Sequence, residues 1–308
     1  MSSPSLPEAA AVYPFPKAGA LKEARGGLSC IRYREVLLLQ GTPVIGALYA
    51  VSRWSSSCVV PAALFGVASA ALVAHIWSFN DWADFRADRR DPQKAAMATL
   101  RRGMEPPAIL KVSLILLLVS LGLFTLLPWT TLALALSISL LGFLYSFPPI
   151  GWKGVPILSS VTHFVGGLLH FLLGYSLFSA IDRNAILIAP FFGLVFMAGH
   201  AIQEVQDYDA DRIGGIRTNA VVFGKTAGFR AGLAGFATAY GYLLILASTG
   251  VVSITLGWLA LGLFPLHLFW SLQALRGGLT GEGIRRLRLR YRVLFALLGA
   301  AMIVQRIL

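Results

Sequence analysis

The chain has 308 residues, 56% of them hydrophobic and only 13% charged, with a mean hydropathy of +0.72. A soluble globular protein carries about 25% charged residues, so a water-soluble core is excluded as the sink for this much apolar surface and a membrane is the expected solvent. The formal net charge of +12 does not point to nucleic acid, because the basic residues gather in short segments between apolar runs, where topology-setting charge belongs.

Residues 1–35 are rich in Pro, Ala, Gly and Ser and carry Lys17, Lys22, Arg25, Arg32 and Arg34. They hold no apolar stretch followed by a small-residue cleavage site, so a cytosolic tail is expected rather than a cleaved secretory signal. Residues 36–308 form the expected transmembrane domain. Cys30 and Cys58 lie far apart and suggest neither a metal pair nor a disulfide framework.

A spanning helix needs about 20 mostly apolar residues. Such runs lie near 36–53, 57–79, 108–127, 129–147, 155–178, 185–203, 229–249, 251–274 and 290–307. They predict an all-α polytopic membrane protein of about nine helices around a central cavity. Pro148 and Pro149 end the fourth run, because proline clashes with the preceding turn and lacks a donor. With the N-terminus cytosolic, every Lys and Arg except Arg53, Arg183 and Arg306 falls on the cytosolic side or its helix ends. This bias supports an N-in, C-out arrangement with an odd number of spans. Without a clear transit segment, a bacterial cytoplasmic membrane is the expected location.

Two acidic clusters follow the second and sixth runs: Asn80-Asp81-Trp82-Ala83-Asp84-Phe85-Arg86-Ala87-Asp88 and Glu204-Val205-Gln206-Asp207-Tyr208-Asp209-Ala210-Asp211. Asp81, Asp84 and Asp88 fall at i, i+3, i+7, and so do Glu204, Asp207 and Asp211, so each trio shares one helix face. Like charges so placed repel, and desolvation near a bilayer adds to the cost. Mg²⁺ is the obvious counter-ion, since it takes oxygen ligands and is commonly held by one or two carboxylates plus substrate phosphates. The plainer alternative is a solvated acidic helix end neutralised by Arg86, Arg89, Arg90 or Arg212. Two clusters with the same spacing on one side of the membrane favour the metal reading. Paired intramembrane acids also mark cation paths in transporters, but those lie nearer the bilayer midplane.

Asn80-Asp81-x-x-Asp84-x-x-x-Asp88 and Asp207-x-x-x-Asp211 resemble the two aspartate motifs of the UbiA superfamily of intramembrane prenyltransferases. The resemblance extends from about residue 30 to the end of the chain. It includes the stretch Tyr145-Ser146-Phe147-Pro148-Pro149-Ile150-Gly151-Trp152-Lys153, then Gly214, Gly215, Thr218 and Gly224 after the second motif. It implies a Mg²⁺-dependent enzyme that binds an isoprenyl diphosphate, with its headgroup at the cytosolic mouth and its tail in a lipid-facing cavity. The allylic cation formed on ionisation would alkylate a small lipophilic or aromatic acceptor.

On that reading Asn80, Asp81, Asp84 and Asp88 hold one metal, and Asp207 and Asp211 the other. Asp84, Asp207, Lys153 and Glu204 are the expected catalytic residues. Lys153 pairs with phosphate oxygens, with Lys94, Arg102 and Arg212 as further candidates beside Asn80 and Tyr145. Glu204, one turn before Asp207, either extends the metal site or acts as the base that takes the product's proton. Trp77, Tyr145, Phe164 or Tyr175 could guide the cation through a ring face. His170 and His200 lie within spans, where they accept a proton or bond across a helix interface. The Arg-Pro pair many members carry after the first motif is absent from Ala98-Thr99-Leu100-Arg101-Arg102-Gly103. This raises the sibling activity of terpene cyclisation, in which the cation attacks its own chain.

Overall fold

The computed structural model describes residues 31–88 and 105–307, and among them it contains helices and no strand. The helices are α1 (Tyr33–Leu39), α2 (Gly41–Ala50), α3 (Val59–Asp88), α4 (Pro106–Phe124), α5 (Trp129–Ser146), α6 (Leu158–Tyr175), α7 (Arg183–Gly214), α8 (Asn219–Phe223), α9 (Lys225–Ser248), α10 (Ile254–Arg276) and α11 (Gly281–Ile307). All nine predicted runs fall on helix. Seven helices, α3 to α7 with α9 and α10, are long and apolar enough to cross a membrane. The first run is split at Gln40 into α1 and α2, neither long enough alone. The last belongs to α11, whose first half carries Arg285, Arg286, Arg288, Arg290 and Arg292.

The exterior agrees with lipid as solvent. Leu118, Leu126, Trp129 and Trp258 are each more than 60% exposed, and on a soluble protein such apolar surface would be an association hazard.

Helices α3 and α7 run past their predicted ends at 79 and 203 to Asp88 and Gly214. Hydropathy marks where the apolar layer stops, whereas a helix stops where its backbone is interrupted. At 30 and 32 residues each is about 45 Å long, well beyond the bilayer core. Gly215 ends α7 in the left-handed region at φ 74°. The Ile216 N–H donates back to the Asp211 carbonyl at 2.8 Å, a closure in which glycine avoids the Cβ penalty. The acidic motifs therefore sit on rigid helical extensions rather than on loops.

At the other end of α7, Asp182 accepts from the Ala185 N–H at 2.8 Å and from the Tyr175 hydroxyl at 2.8 Å. The Ala185 hydrogen bond is the main cause that holds its carboxyl below the ordinary value of 3.8. The folded-state value is depressed, so the cap's contribution is complete above pH ~3.8 and fades as pH falls below it. Asp182→Ala is expected to cost about 1 kcal/mol at neutral pH. The gap between thermal melts of the two proteins should narrow as pH falls below ~3.8, and a gap that widened on acidification would refute the cap assignment.

Packing is set by glycines. Gly46 on α2 and Gly174 on α6 let those backbones touch, since a Cβ on either would overlap a carbonyl oxygen of the other helix. Gly167 on α6 and Gly193 on α7 do the same on the other side of α6, where a Cβ on Gly193 would sit 2.7 Å from the Phe164 carbonyl oxygen. Small residues drive helix association in lipid because close backbone approach maximises packing where no hydrophobic force operates between helices. α6 is thus gripped between α2 and α7, with α5 also against it and α9 covering α7.

Candidate functional site

The first wall comes from α3. The Asp84 carboxylate lies 2.5 Å from Lys153 Nζ, both side chains a little under one-fifth exposed. Lys153 is presented by a 3-10 turn, Trp152–Gly154, which follows Gly151 in the left-handed region at φ 50°. The turn forms because Pro148 and Pro149 stop α5, and glycine then reverses the chain at little steric cost. Asn80 Nδ2 donates to Ser146 Oγ at 3.2 Å and ties this wall to the end of α5. The Lys153 loop, α3 and α5 therefore meet at one level.

Asp81, expected as a metal ligand, is paired with Arg32 in this structure. It is 4% exposed, and both its oxygens are engaged by Arg32, Oδ1 by Nη2 and Oδ2 by Nε at 3.3 Å. Such a fork is the strong form of an Arg–carboxylate contact. The guanidinium also lies 4.8 Å from the centre of the Trp77 ring. Arg32, read as part of the tail, thus closes over the motif, and Glu35 one turn on binds Arg292 of α11 at 3.2 Å.

The second wall comes from α7. His200, Glu204, Asp207 and Asp211 stand at i, i+4, i+7 and i+11, a single stripe on a 3.6-residue helix. Asp207 is half-buried and makes no hydrogen bond or ion pair among the described residues. Tyr145 on α5 meets His200 of α7 edge-on at 6.2 Å, and its neighbour Ser146 accepts from Asn80 of α3. The end of α5 therefore links the helices that carry the two carboxylate walls.

Among the described residues no three His, Cys, Asp or Glu side chains close a metal cage. The candidate donors are oxygen, Asp207 pairs with no cation among the described residues, and Asp84 on one wall and Asp207 with Asp211 on the other form no closed cage. That set fits Mg²⁺ completed by phosphate oxygens and water. It does not fit a soft or tightly caged metal.

Inward from the carboxylates lies a buried polar knot. Glu204, 3% exposed, accepts from Ser159 Oγ at 3.0 Å and from Asn219 Nδ2 at 3.0 and 3.1 Å. His200 Nε2 is 2.9 Å from Glu204 Oε1. Both Glu204 oxygens are thus engaged by neighbouring side chains. The His163 and His200 rings stack at 3.5 Å and 6°, and Tyr145 meets both edge-on at 5.1 and 6.2 Å. The Gly167–Gly193 approach is what lets α6 and α7 come close enough for this stack.

The structure thus brings together Asn80, Asp84, Lys153, Tyr145, Glu204, Asp207 and Asp211. Lys94, Arg102 and the side chain of Asp88 lie outside the described residues. Arg212 is exposed, one residue off the Asp207–Asp211 stripe. Tyr175 is separated from the site, since it caps against Asp182 at the opposite end of α6. Phe164 packs on Gly193, and His170 Nδ1 bonds the Gly166 carbonyl at 2.7 Å, both ordinary helix contacts. His163, Ser159 and Asn219 went unnoticed in the sequence. The available signal was His163 as an ionisable residue inside a span.

Among the described residues the chain is a helical membrane bundle with carboxylates on α3 and α7 and a lysine beside Asp84. The chain belongs to the UbiA prenyltransferase family, whose model matches residues 41–298. It is an integral membrane protein. Curated relatives include lycopene elongase/hydratase of Haloferax volcanii, 30% identical over 63% of this chain and 64% of that protein. The protein of the same description from Haloarcula japonica is 26% identical over 63% of this chain and 66% of that one. The aligned part therefore spans just under two thirds of either relative. The fold matches a UbiA homolog from Archaeoglobus fulgidus bound to DMAPP and Mg²⁺, with TM-score 0.67, 18% identity and coverage of 90% of this chain and 99% of the other. It also matches an apo UbiA homolog from Aeropyrum pernix K1 with TM-score 0.69, 18% identity and coverage of 90% and 100%.

Proposed function

We propose that the protein ionises an isoprenyl diphosphate between its two carboxylate walls and transfers the prenyl group to a lipophilic acceptor, releasing diphosphate. The observation that carries this reading is the pairing of Asp84 with Lys153 on a helix that the end of α5 links, through Asn80–Ser146 and Tyr145–His200, to the helix bearing Glu204, Asp207 and Asp211. Asn80 and Asp84, with Asp88, would hold one Mg²⁺, and Asp207 and Asp211 the other. Bound Mg²⁺ supplies Lewis-acid charge against the departing diphosphate.

The remaining work falls to the chain. Lys153 adds a fixed positive charge at the point where the leaving group gains negative charge, and preorganised charge of that kind stabilises the transition state. The apolar walls of α3, α5, α6 and α7 exclude water from the cation, and the Tyr145 ring offers it a π-face. The site lies on the side of the membrane that the basic residues mark as cytosolic, in a bacterial cytoplasmic membrane on this reading.

The Archaeoglobus homolog was bound to DMAPP and to GPP with Mg²⁺, which supports a short allylic diphosphate as donor. The relatives' description as lycopene elongase/hydratase makes lycopene the first acceptor to try. With dimethylallyl diphosphate and lycopene, EDTA should abolish diphosphate release and excess Mg²⁺ should restore it. Full turnover in EDTA would refute the metal assignment. A cyclic hydrocarbon formed from geranylgeranyl diphosphate alone would identify a cyclase instead.

A further inference from the structure

We propose that His163 is the proton acceptor that ends the reaction, its Nε2 taking a proton from the cation left on the acceptor while His200 and Glu204 balance the charge. This rests on prenyl transfer to an alkene acceptor as read above.

The argument begins with the tautomer. His163 Nδ1 lies 2.8 Å from the Ser159 carbonyl oxygen, which can only accept. Nδ1 therefore carries the hydrogen, and Nε2 holds the lone pair. Nε2 has no hydrogen-bond partner among the described residues, and the side chain is half-buried rather than sealed. Its lone pair is thus left open to a ligand rather than spent on the helix bundle.

The second observation is the backing. His200 covers one face of the His163 ring at 3.5 Å, and its Nε2 lies 2.9 Å from Glu204 Oε1, close enough for an ion pair when the ring is protonated. Two imidazolium rings so close would repel, so the pair takes one proton. Glu204, held as an anion by Ser159 and Asn219, offsets that single charge. A purely structural knot would be complete with Asn219, Ser159 and one histidine. The stacked second ring with an open nitrogen is what a structural role leaves without a purpose.

The third is position. His200 lies seven residues before Asp207 on the same stripe, so the pair sits about 10 Å inward of the carboxylates. Tyr145, whose ring meets both histidines, stands next to Ser146, which is bonded to Asn80 of the first acidic motif. The prenyl C1 is released at the diphosphate, and the acceptor alkene must meet it just inward of that point.

The step balances. The acceptor's π pair forms the new bond to prenyl C1, which leaves a cation on the adjoining carbon. A neighbouring C–H bond then breaks. Its electrons form a new double bond and its proton goes to His163 Nε2. The imidazolium returns the proton to water as products leave. Without the base, the same cation is captured by water at the mouth and gives an alcohol.

The test uses the full-length protein in detergent with Mg²⁺, dimethylallyl diphosphate and lycopene, following diphosphate release and the ratio of proton-loss product to alcohol. General-base catalysis contributes about 10²–10⁴-fold, so H163Q should lower that ratio by about 10²-fold. E204Q should lower it in the same direction, and imidazole added to H163A should raise it again. A role confined to packing would reduce both products alike and leave the ratio untouched, which would overturn the proposal. Wild-type protein that makes only alcohol would overturn it too. If H163Q does not fold, the ratio in E204Q and H200Q decides by the same criterion. Absence of diphosphate release from the wild-type protein would instead refute the parent reading, an outcome distinct from an unchanged ratio.

Discussion

Asp84→Asn and Asp207→Asn are each expected to lower diphosphate release by about 10²–10³-fold, the usual loss when one preorganised electrostatic contact to a developing charge is removed. The two variants should differ in stability. Asp84 is paired with Lys153 in a partly solvated rim, so the neutral amide forfeits up to about 1 kcal/mol. Asp207 has no cationic partner among the described residues and stands one turn from Glu204 and one from Asp211. Neutralising it relieves repulsion, and its melting temperature should hold or rise. A site residue whose loss stabilises the protein is the signature of function maintained against stability. Turnover assays and melts on the same preparations check both halves. Turnover retained in either variant would sink the two-wall metal site.

Gly174→Val should abolish accumulation of folded protein. A Cβ there collides with the carbonyl oxygen, carbonyl carbon and Cα of Pro43 on α2, and backbone atoms cannot swing aside as a side-chain tip can. Overpacking of this kind costs about 3 kcal/mol or more, a large share of the stability of most folded domains. Because α6 also carries Ser159 and His163, the loss of its α2 contact should reach the site even in any fraction that folds. Gly122→Ala on α4 is the control, since a Cβ at Gly122 meets nothing within 4 Å. It should be neutral or slightly stabilising, because alanine restricts the unfolded chain more than glycine does. Detergent size-exclusion profiles of the two would separate the cases. A monodisperse, wild-type-like Gly174→Val would refute the close α2–α6 crossing.

The sequence alone determined the solvent, the helical class and the two carboxylate faces. These depend on local quantities: apolar run length, the 3.6-residue period, and the placement of Lys and Arg. Lys153 was legible for the same reason, a lone cation in a loop bounded by Pro148, Pro149 and Gly151.

What the tertiary structure decided was which of these groups meet. Asp81 and Asp84 are three residues apart on one helix, yet one is locked to Arg32 from the chain's beginning and the other to Lys153. Only the packing of α1 and the 3-10 turn against α3 separates them. Tyr145 and Tyr175 looked alike as aromatic candidates, but they stand at opposite ends of the bundle. His163 and His200 are 37 residues apart and meet because Gly167 and Gly193 let α6 and α7 approach. Local spacing fixes which face of a helix a residue occupies. The partner on that face depends on contacts between distant segments, where a missing Cβ can decide whether two rings touch.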